Sequence, residues 1–284
     1  MHFIKRSTKL KVSKPVQNLE RKATFVVKKE NIDIVICPMN SLKNRRTVRN
    51  YSNKPVEETL LNELIKLACR SSNTGNMQAY SIIVTRDVAQ KQALAPAHFN
   101  QKQVTEAPVL LTFCVDFNRI SQWCEQRNAA PGFDIVQALT YAAIDTIIVA
   151  QTFCVAAEEA GLGICYLGTT TYHADTIIDV LQLPKLVLPV TTLSVGYPKE
   201  LETNMLSDRL PLEGIVHRET YSAFDAAAID RIYAEKEALE ESLRFIELNQ
   251  KQTLAQIYTD IRYKKSDNEF FSAAWMKAIK KQGF

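Results

Sequence analysis

The sequence predicts a layered protein in which strands and helices alternate, of the α/β or α+β class. Short apolar runs of strand length are separated by longer segments whose apolar residues recur every three to four positions. Elements of these two kinds pack as layers around a shared core. The chain has 284 residues, of which 46% are hydrophobic and 23% charged, which allows one large domain or two small ones.

The first 38 residues differ from the rest of the chain. They are basic and weakly periodic, with two candidate short strands at 24–28 and 33–37. We interpret residues 1–38 as an extension that is poorly ordered or forms an added arm. No apolar stretch typical of a secretory signal occurs there. Met39 directly precedes the first strong motif and marks a candidate start for the domain proper.

The next elements follow in order from the apolar pattern. Pro55 precedes a predicted helix whose apolar residues, between positions 60 and 68, fall on one face. Residues 80–85 and 109–115 are predicted strands, and the second is apolar throughout, as expected of a strand covered on both faces. Two further strands are predicted at 164–167 and 188–195, with a helix at 173–181 between them. Later helices are predicted at 226–248 and 270–281.

The longest apolar stretch, residues 135–160, is predicted to be a helix that ends at Gly161. Asp145, Gln151 and Glu158 interrupt it, and such residues are costly in lipid, so we expect a buried helix. It carries more apolar surface than one side can bury internally. We therefore predict that it contributes to an obligate dimer interface.

Composition excludes several classes of function. A net charge of +4 is too slight to indicate a nucleic-acid or membrane partner. The six cysteines form no CxxC pair and are typical of buried thiols in a reducing, cytoplasmic compartment. Only 8 glycines are present, and neither GxGxxG nor GxxxxGKS/T occurs. HExxH, zinc-like spacings and GxSxG are also missing, so we expect no metal site, and a bound cofactor is expected to carry any chemistry.

Four segments could bind such a cofactor. Residues 45–51 offer three arginines and a threonine, and guanidinium groups match phosphate well. On a helical turn, positions 45, 46 and 49 would converge; a solvated basic patch is the alternative. The polar run 71–78 is either a plain turn or a ligand-facing loop. The glycine-bracketed strand 161–170 suits close approach of a flat ligand, or is a strand with flexible ends. Arg209, before Leu210-Pro211, is the fourth.

Taken in order, these segments resemble the nitroreductase family, and most closely its larger NADPH-linked branch. Residues 45–51, Arg-Arg-Thr-Val-Arg-Asn-Tyr, match the family pattern R-x-S/T-I/V-R-x-F/Y. The run 72–78, the strand end at 166–168 and the Arg-Leu-Pro at 209–211 follow in the family order. The resemblance runs from about 39 to 221. It implies an α+β homodimer with a mixed, mainly antiparallel sheet flanked by helices, in which 222–284 form a C-terminal helical extension on the same domain.

The resemblance also implies a bound FMN and the residues that hold it. The phosphate and ribityl chain would be held by Arg45, Arg46, Thr47, Arg49 and Arg209. Asn73, Thr74 and Asn76 would line the flavin from the partner subunit, and Gln101 would contact the ribityl chain or the ring edge. Tyr166, Leu167, Gly168 and Thr169 would lie against the isoalloxazine. The flavin N5 would take hydride from NADPH or NADH and pass it to a small acceptor, with no catalytic side chain.

The chain departs from the branch at two positions. Ser207 stands where the branch has lysine, and Thr169 stands where it has glycine. The branch's NADPH-recognition loop is not clearly matched, and its candidate cations are Lys251, Arg262, Lys264 and Lys265. Two rival functions follow: an FMN-binding protein without turnover, and a nucleic-acid-binding protein that uses the basic arm and residues 45–49.

Overall fold

A computed structural model describes residues 25–29, 32–36, 40–199 and 206–284, the first two stretches and residue 40 by backbone alone. The chain forms two compact units, Met1–Lys43 and Asn44–Phe284. In the first unit, β1 (Phe25–Lys29) pairs antiparallel with β2 (Ile32–Ile36), and the short helix α1 (Asn40–Lys43) follows. The two strands predicted near 24–28 and 33–37 are therefore confirmed, each displaced by one residue.

The second unit is built on a four-stranded sheet in the order β3-β4-β6-β5. Its strands are β3 (Tyr80–Thr85), β4 (Val109–Asp116), β5 (Gly163–Leu167) and β6 (Val187–Gly196). All three pairings are antiparallel. Every residue of β4 is buried, which explains its continuous apolar sequence. The strand predictions and the α+β class are confirmed.

Helices flank this sheet along the rest of the unit. They are α2 (Glu58–Ala68), α3 (Val88–Leu94), α4 (Lys102–Glu106), α5 (Asn118–Glu125), α6 (Val136–Glu159), α7 (Ala174–Val180), α8 (Ala226–Ala238), α9 (Glu240–Leu248), α10 (Leu254–Ile257) and α11 (Lys265–Gln282). The single helix predicted over 226–248 is wrong. Leu239 adopts an extended conformation (φ −60°, ψ 137°) and divides it into α8 and α9.

The long helix α6 is the centre of the core. It packs against α2 and the sheet, where Val149, Phe153 and Cys154 join Phe113 and Leu193 in one buried cluster. By length and a mean hydropathy of 1.5 the helix could cross a membrane, but half of that window is buried inside the protein. Gly161, at φ +81°, ends the helix as predicted. The arrangement is that of a core helix.

Candidate functional site

The arginine segment, residues 45–51, is fixed to the edge strand β5. The Val48 amide donates to the Ile164 carbonyl at 3.0 Å, and the buried Val48 side chain lies directly over Gly163. A Cβ at Gly163 would lie 2.6 Å from the Val48 Cβ, so only glycine permits this approach. The Tyr51 hydroxyl lies 2.8 Å from both the Val48 carbonyl oxygen and Ser194 Oγ. The sheet itself therefore holds the segment.

The segment does not form the helical turn on which positions 45, 46 and 49 would converge. α1 ends at Lys43, and residues 45–50 belong to neither a helix nor a strand. Burial raises the pKa of the Cys165 thiol on β5, and the positive charges of Arg49 and Arg45 both oppose that rise. Arg49 is exposed, whereas Arg46 and Thr47 are half-buried. Anchoring to β5 at Val48, rather than helical periodicity, sets the path of the segment between Arg45 and Arg49.

Arg45 is oriented by the last turns of α6. Its Nε lies 3.7 Å from Glu158 Oε1, and the two side chains are only 21% and 10% exposed. Burial raises the pKa of Glu158, and Arg45 opposes the rise. Burial likewise raises the pKa of the nearby Cys154 thiol to about 11, so this thiol is protonated at neutral pH. The carboxylate of Glu158 and the neighbouring Cys154 thiol thus set the direction of the Arg45 guanidinium group.

The polar loop 71–78 is tied to the middle of α6. The Thr74 amide donates to Asp145 Oδ2 at 2.8 Å, and the Thr74 hydroxyl donates to Asp145 Oδ1 at 3.1 Å. Asp145 is almost fully buried, so this loop is not a freely solvated turn. Asn73 is half-buried and Asn76 is exposed, with the latter in a left-handed conformation at φ 55°. The loop is thus held at its centre and presents amide groups on either side.

The end of β5 presents an open backbone surface. Leu167 is buried, and the Tyr166 hydroxyl donates to Gln151 Oε1 on α6 at 3.1 Å. Gly168 is exposed, and a Cβ built there would meet nothing within 4 Å. Thr169 is buried, and its Oγ1 lies 2.8 Å from His98 Nδ1. A flat ligand can therefore approach the backbone at Gly168 without a steric obstacle.

Gln101 lies at the start of α4 and is half-buried. Its side-chain oxygen accepts a hydrogen bond from Gln103 Nε2 at 2.7 Å, and its amide donates to the His98 carbonyl at 3.1 Å. His98 ends the 3-10 turn Ala95–His98 and is fully buried. The chain around Gln101 is thus joined to the end of β5 through His98.

Arg209 and the C-terminal cations are engaged locally. Arg209 is exposed and donates to the carbonyls of Ser207 and Asp208. The structure describes no contact between Arg209 and residues 45–49. Lys251 lies 2.9 Å from Asp260 Oδ2, and Arg262 lies 4.5 Å above the Phe245 ring. Lys265 makes a weak ion pair with Glu269, and Lys264 is exposed. These contacts do not bring the four C-terminal cations together into a single binding site.

Sequence reasoning missed the residues that position the site. His98 was only one of four scattered histidines, and its partner lies 71 positions away. The polar residues in α6 were taken only as evidence against a membrane helix. Their presence could have predicted these contacts, because an ionisable residue in a buried helix needs a nearby partner.

The fold and the site define an α+β protein in which an arginine-rich segment is anchored to the edge strand β5, and that strand ends at an exposed glycine. The nitroreductase family profile matches residues 42–197. The chain is 32% identical over 190 residues to an oxygen-insensitive NADPH nitroreductase from Salmonella typhimurium, covering 67% of this chain and 77% of the relative. It is 31% identical over 186 residues to an FMN reductase (NADPH) from Bacillus subtilis, covering 65% and 74%. A structure from Bacteroides fragilis, provisionally assigned as an oxidoreductase, superimposes with a TM-score of 0.84 at 54% identity, covering 86% of this chain and 98% of that one.

The chain belongs to the nitroreductase family. It is therefore an oxidoreductase of the class that uses FMN, with NAD(P)H as the electron donor.

Proposed function

We propose that this protein transfers hydride from NADPH or NADH, through a tightly held FMN, to small electrophilic acceptors such as nitroaromatics, quinones or free flavins. The observation that carries the proposal is the arginine segment, which is fixed to β5, the strand whose end leads into the open backbone at Gly168. A reaction in two half-steps, in which the oxidised nicotinamide leaves before the acceptor binds, suits a single open face of this kind.

The residues present fit FMN by their chemistry. A site without a glycine-rich cradle must neutralise the phosphate with side chains, and Arg45, Arg46 and Arg49, with the Thr47 hydroxyl, supply that charge and those donors. Arg209 would join them on the outer side. The wider set that would line the ribityl chain and the ring is Asn73, Thr74, Asn76, Gln101, Tyr166, Leu167, Gly168 and Thr169. Bound FMN supplies the hydride chemistry at its ring nitrogen N5.

In this mechanism the protein binds, orients and excludes water, and no side chain acts as a strong acid or base. Burial raises the pKa of both Tyr166 and Cys165, so each is protonated at neutral pH. Burial lowers the pKa of His98 to about 4, so its ring is uncharged. The positive charges of Arg45 and Arg49 favour an anionic ligand and stabilise added negative charge nearby.

We also propose a homodimer in which α6 lies at the interface. Its outer face exposes an apolar stripe at helical spacing, comprising Val136, Ile144, Ile147 and Ile148, with exposures between 37% and 67%. Such a stripe, interrupted only at Thr140, marks a candidate interaction surface. Under this proposal residues 39–221 form the FMN domain, 1–38 an N-terminal extension and 222–284 a helical extension on the same domain. The five described cysteines are all unpaired, which fits a cytoplasmic location.

The alternative is an FMN-binding protein without productive turnover, and Thr169 is the observation in its favour. Where the branch has glycine, this chain places a side chain that is hydrogen-bonded to His98. Anaerobic stopped-flow mixing of the FMN-loaded protein with NADPH separates the two functions. Rapid bleaching of the bound flavin supports the oxidoreductase, and persistent flavin absorption supports the alternative.

A further inference from the structure

His98 joins two segments that are far apart in sequence and adjacent in the proposed flavin site. Its side chain is fully buried, and Nδ1 lies 2.8 Å from Thr169 Oγ1 at the end of β5. Its backbone carbonyl accepts a hydrogen bond from the Gln101 amide at 3.1 Å. One residue therefore holds the turn that carries Gln101 and the turn that carries Gly168 and Thr169.

The backbone between His98 and Gln101 is in a costly conformation. Phe99 and Asn100 both adopt left-handed conformations, at φ 52° and 53°. The Asn100 amide donates to the Ala95 carbonyl at 2.9 Å, which closes this turn. Left-handed residues other than glycine persist where the surrounding structure imposes them, and they concentrate at functional sites. The turn that begins at His98 is thus held in a definite shape.

The His98–Thr169 pair stabilises the fold less efficiently than a pair of apolar side chains would. His98 Nε2 is buried and has no hydrogen-bond partner among the residues that the structure describes. An unpaired buried nitrogen costs free energy, and two apolar side chains of similar shape would avoid that cost. The pair does, however, restrict the chain, because a β-branched residue anchored by its hydroxyl is far less mobile than glycine.

We propose that His98 and Thr169 act as a positioning pair, which fixes the turn at Gly168–Thr169 and the turn at Gln101 so that both meet the isoalloxazine in one geometry. The inference rests on the proposed FMN site. It gives the Thr169 departure from the family pattern a role: the side chain replaces the freedom of glycine with a hydrogen-bonded anchor. The backbone of the two turns, and not the two buried side chains, would meet a bound flavin, so the pair would orient the ring and take no part in proton transfer.

Four variants test this pair. Thr169→Val removes the hydroxyl while keeping the side-chain shape, and Thr169→Ser keeps the hydroxyl. His98→Leu removes the ring nitrogens, and the double variant His98→Leu/Thr169→Val makes the contact wholly apolar. For each full-length protein we would measure the free energy of unfolding without FMN, the FMN dissociation constant by fluorescence quenching, and the flavin midpoint potential by dye equilibration.

We expect Thr169→Val and the double variant to weaken FMN binding about three- to tenfold, the factor that one buried hydrogen bond controls. The midpoint potential should shift in both, while Thr169→Ser stays close to wild type. The double variant should be at least as stable as wild type without FMN. Should His98→Leu fail to fold, Thr169→Val carries the test alone.

The inference is overturned if Thr169→Val and the double variant keep the wild-type dissociation constant and midpoint potential, even where the stability changes. A purely structural pair would give that result. A wild-type protein that binds no FMN gives a different outcome, because it removes the proposed function itself.

Discussion

At the scale of single residues, the arginines of the segment 45–51 are in different environments. Arg45 is partly buried and paired with Glu158 at 3.7 Å, whereas Arg49 is exposed. The Arg45 side chain is therefore already oriented in the protein without a ligand. Arg49 is exposed and gives up less existing structure when it is removed, which makes it the cleaner test of the site.

We predict that Arg49→Ala weakens FMN binding roughly tenfold to a hundredfold, since a charge-assisted hydrogen bond contributes about 1.5–3 kcal/mol. The unfolding midpoint without FMN should change little because the side chain is exposed. Fluorescence quenching of FMN measures the affinity. Arg244→Ala, an exposed arginine on α9, is the matched control and should bind as wild type does. Equal affinity in both variants would contradict the assignment of the site.

His98 should make the protein sensitive to acid. Burial lowers its pKa to about 4 from an ordinary 6.5, with His173 adding to the effect. Between these values the unfolded chain binds a proton that the folded chain does not, so stability falls as the pH drops from about 6.5 to 4 and then levels off. The effect is about 3 kcal/mol, and His98→Leu should abolish it.

Urea unfolding at a series of pH values measures this loss in the protein without FMN. An NMR titration of the His98 ring with a midpoint near 6.5 would contradict the prediction directly. The position of His98 in the sequence could not reveal this behaviour, because burial and the contact with Thr169 arise only when distant segments fold together.

At the scale of elements, the polar residues of α6 position the site. Asp145 holds Thr74, Gln151 accepts from the Tyr166 hydroxyl, and Glu158 pairs with Arg45. They lie six and seven residues apart, about two helical turns each. Each of these three polar residues in a largely apolar helix thus contacts one segment of the candidate site. The same helix that fills the core also sets the positions of the loops.

Substitutions at the two glycines of β5, Gly163 at its start and Gly168 just after its end, should affect stability and FMN binding differently. Gly163→Ala places a Cβ 2.6 Å from the Val48 Cβ, and we predict a loss of about 1–3 kcal/mol in the free energy of unfolding. Gly168→Ala meets no atom within 4 Å, so its stability without FMN should stay within about 0.5 kcal/mol of wild type. Its FMN affinity should nevertheless fall, because the new methyl group occupies the ligand face.

Chemical denaturation of both variants measures the predicted difference in stability, and FMN titration measures the predicted difference in affinity. If Gly168→Ala binds FMN as wild type does, the flavin does not lie against this strand end. The sequence predicted the strand and its glycine brackets correctly. It could not predict that Gly163 accommodates Val48, since that contact joins segments more than one hundred residues apart.

At the scale of the whole molecule, the apolar stripe on α6 predicts the oligomeric state. A charge in a buried apolar interface is strongly unfavourable. We therefore expect Ile144→Glu/Ile148→Glu to sediment as a monomer where the wild type is a dimer, and to lose FMN because loop 71–78 of the partner would line the flavin. Val88→Glu, at an exposed apolar residue on α3, is the control and should remain dimeric. A wild type that sediments as a monomer would contradict the proposal.

Most of the fold could be predicted from local pattern, and the failures have physical causes. α6 and the strands were placed within one or two residues, because apolar runs and Gly161 mark their ends. The break at Leu239 carries no glycine or proline to signal it. The spacing of the arginine segment would suit a helical turn, but its path is set by β5 through tertiary contacts that local pattern does not encode.

The central claim is that guanidinium groups anchored to β5 hold a mononucleotide whose flavin accepts electrons from a reduced nicotinamide. The most direct test is the absorption spectrum of the purified protein, incubated with excess FMN, desalted, and then mixed anaerobically with NADPH. We predict about one flavin per chain after desalting and bleaching on addition of NADPH. A protein that stays colourless after this treatment would contradict the account.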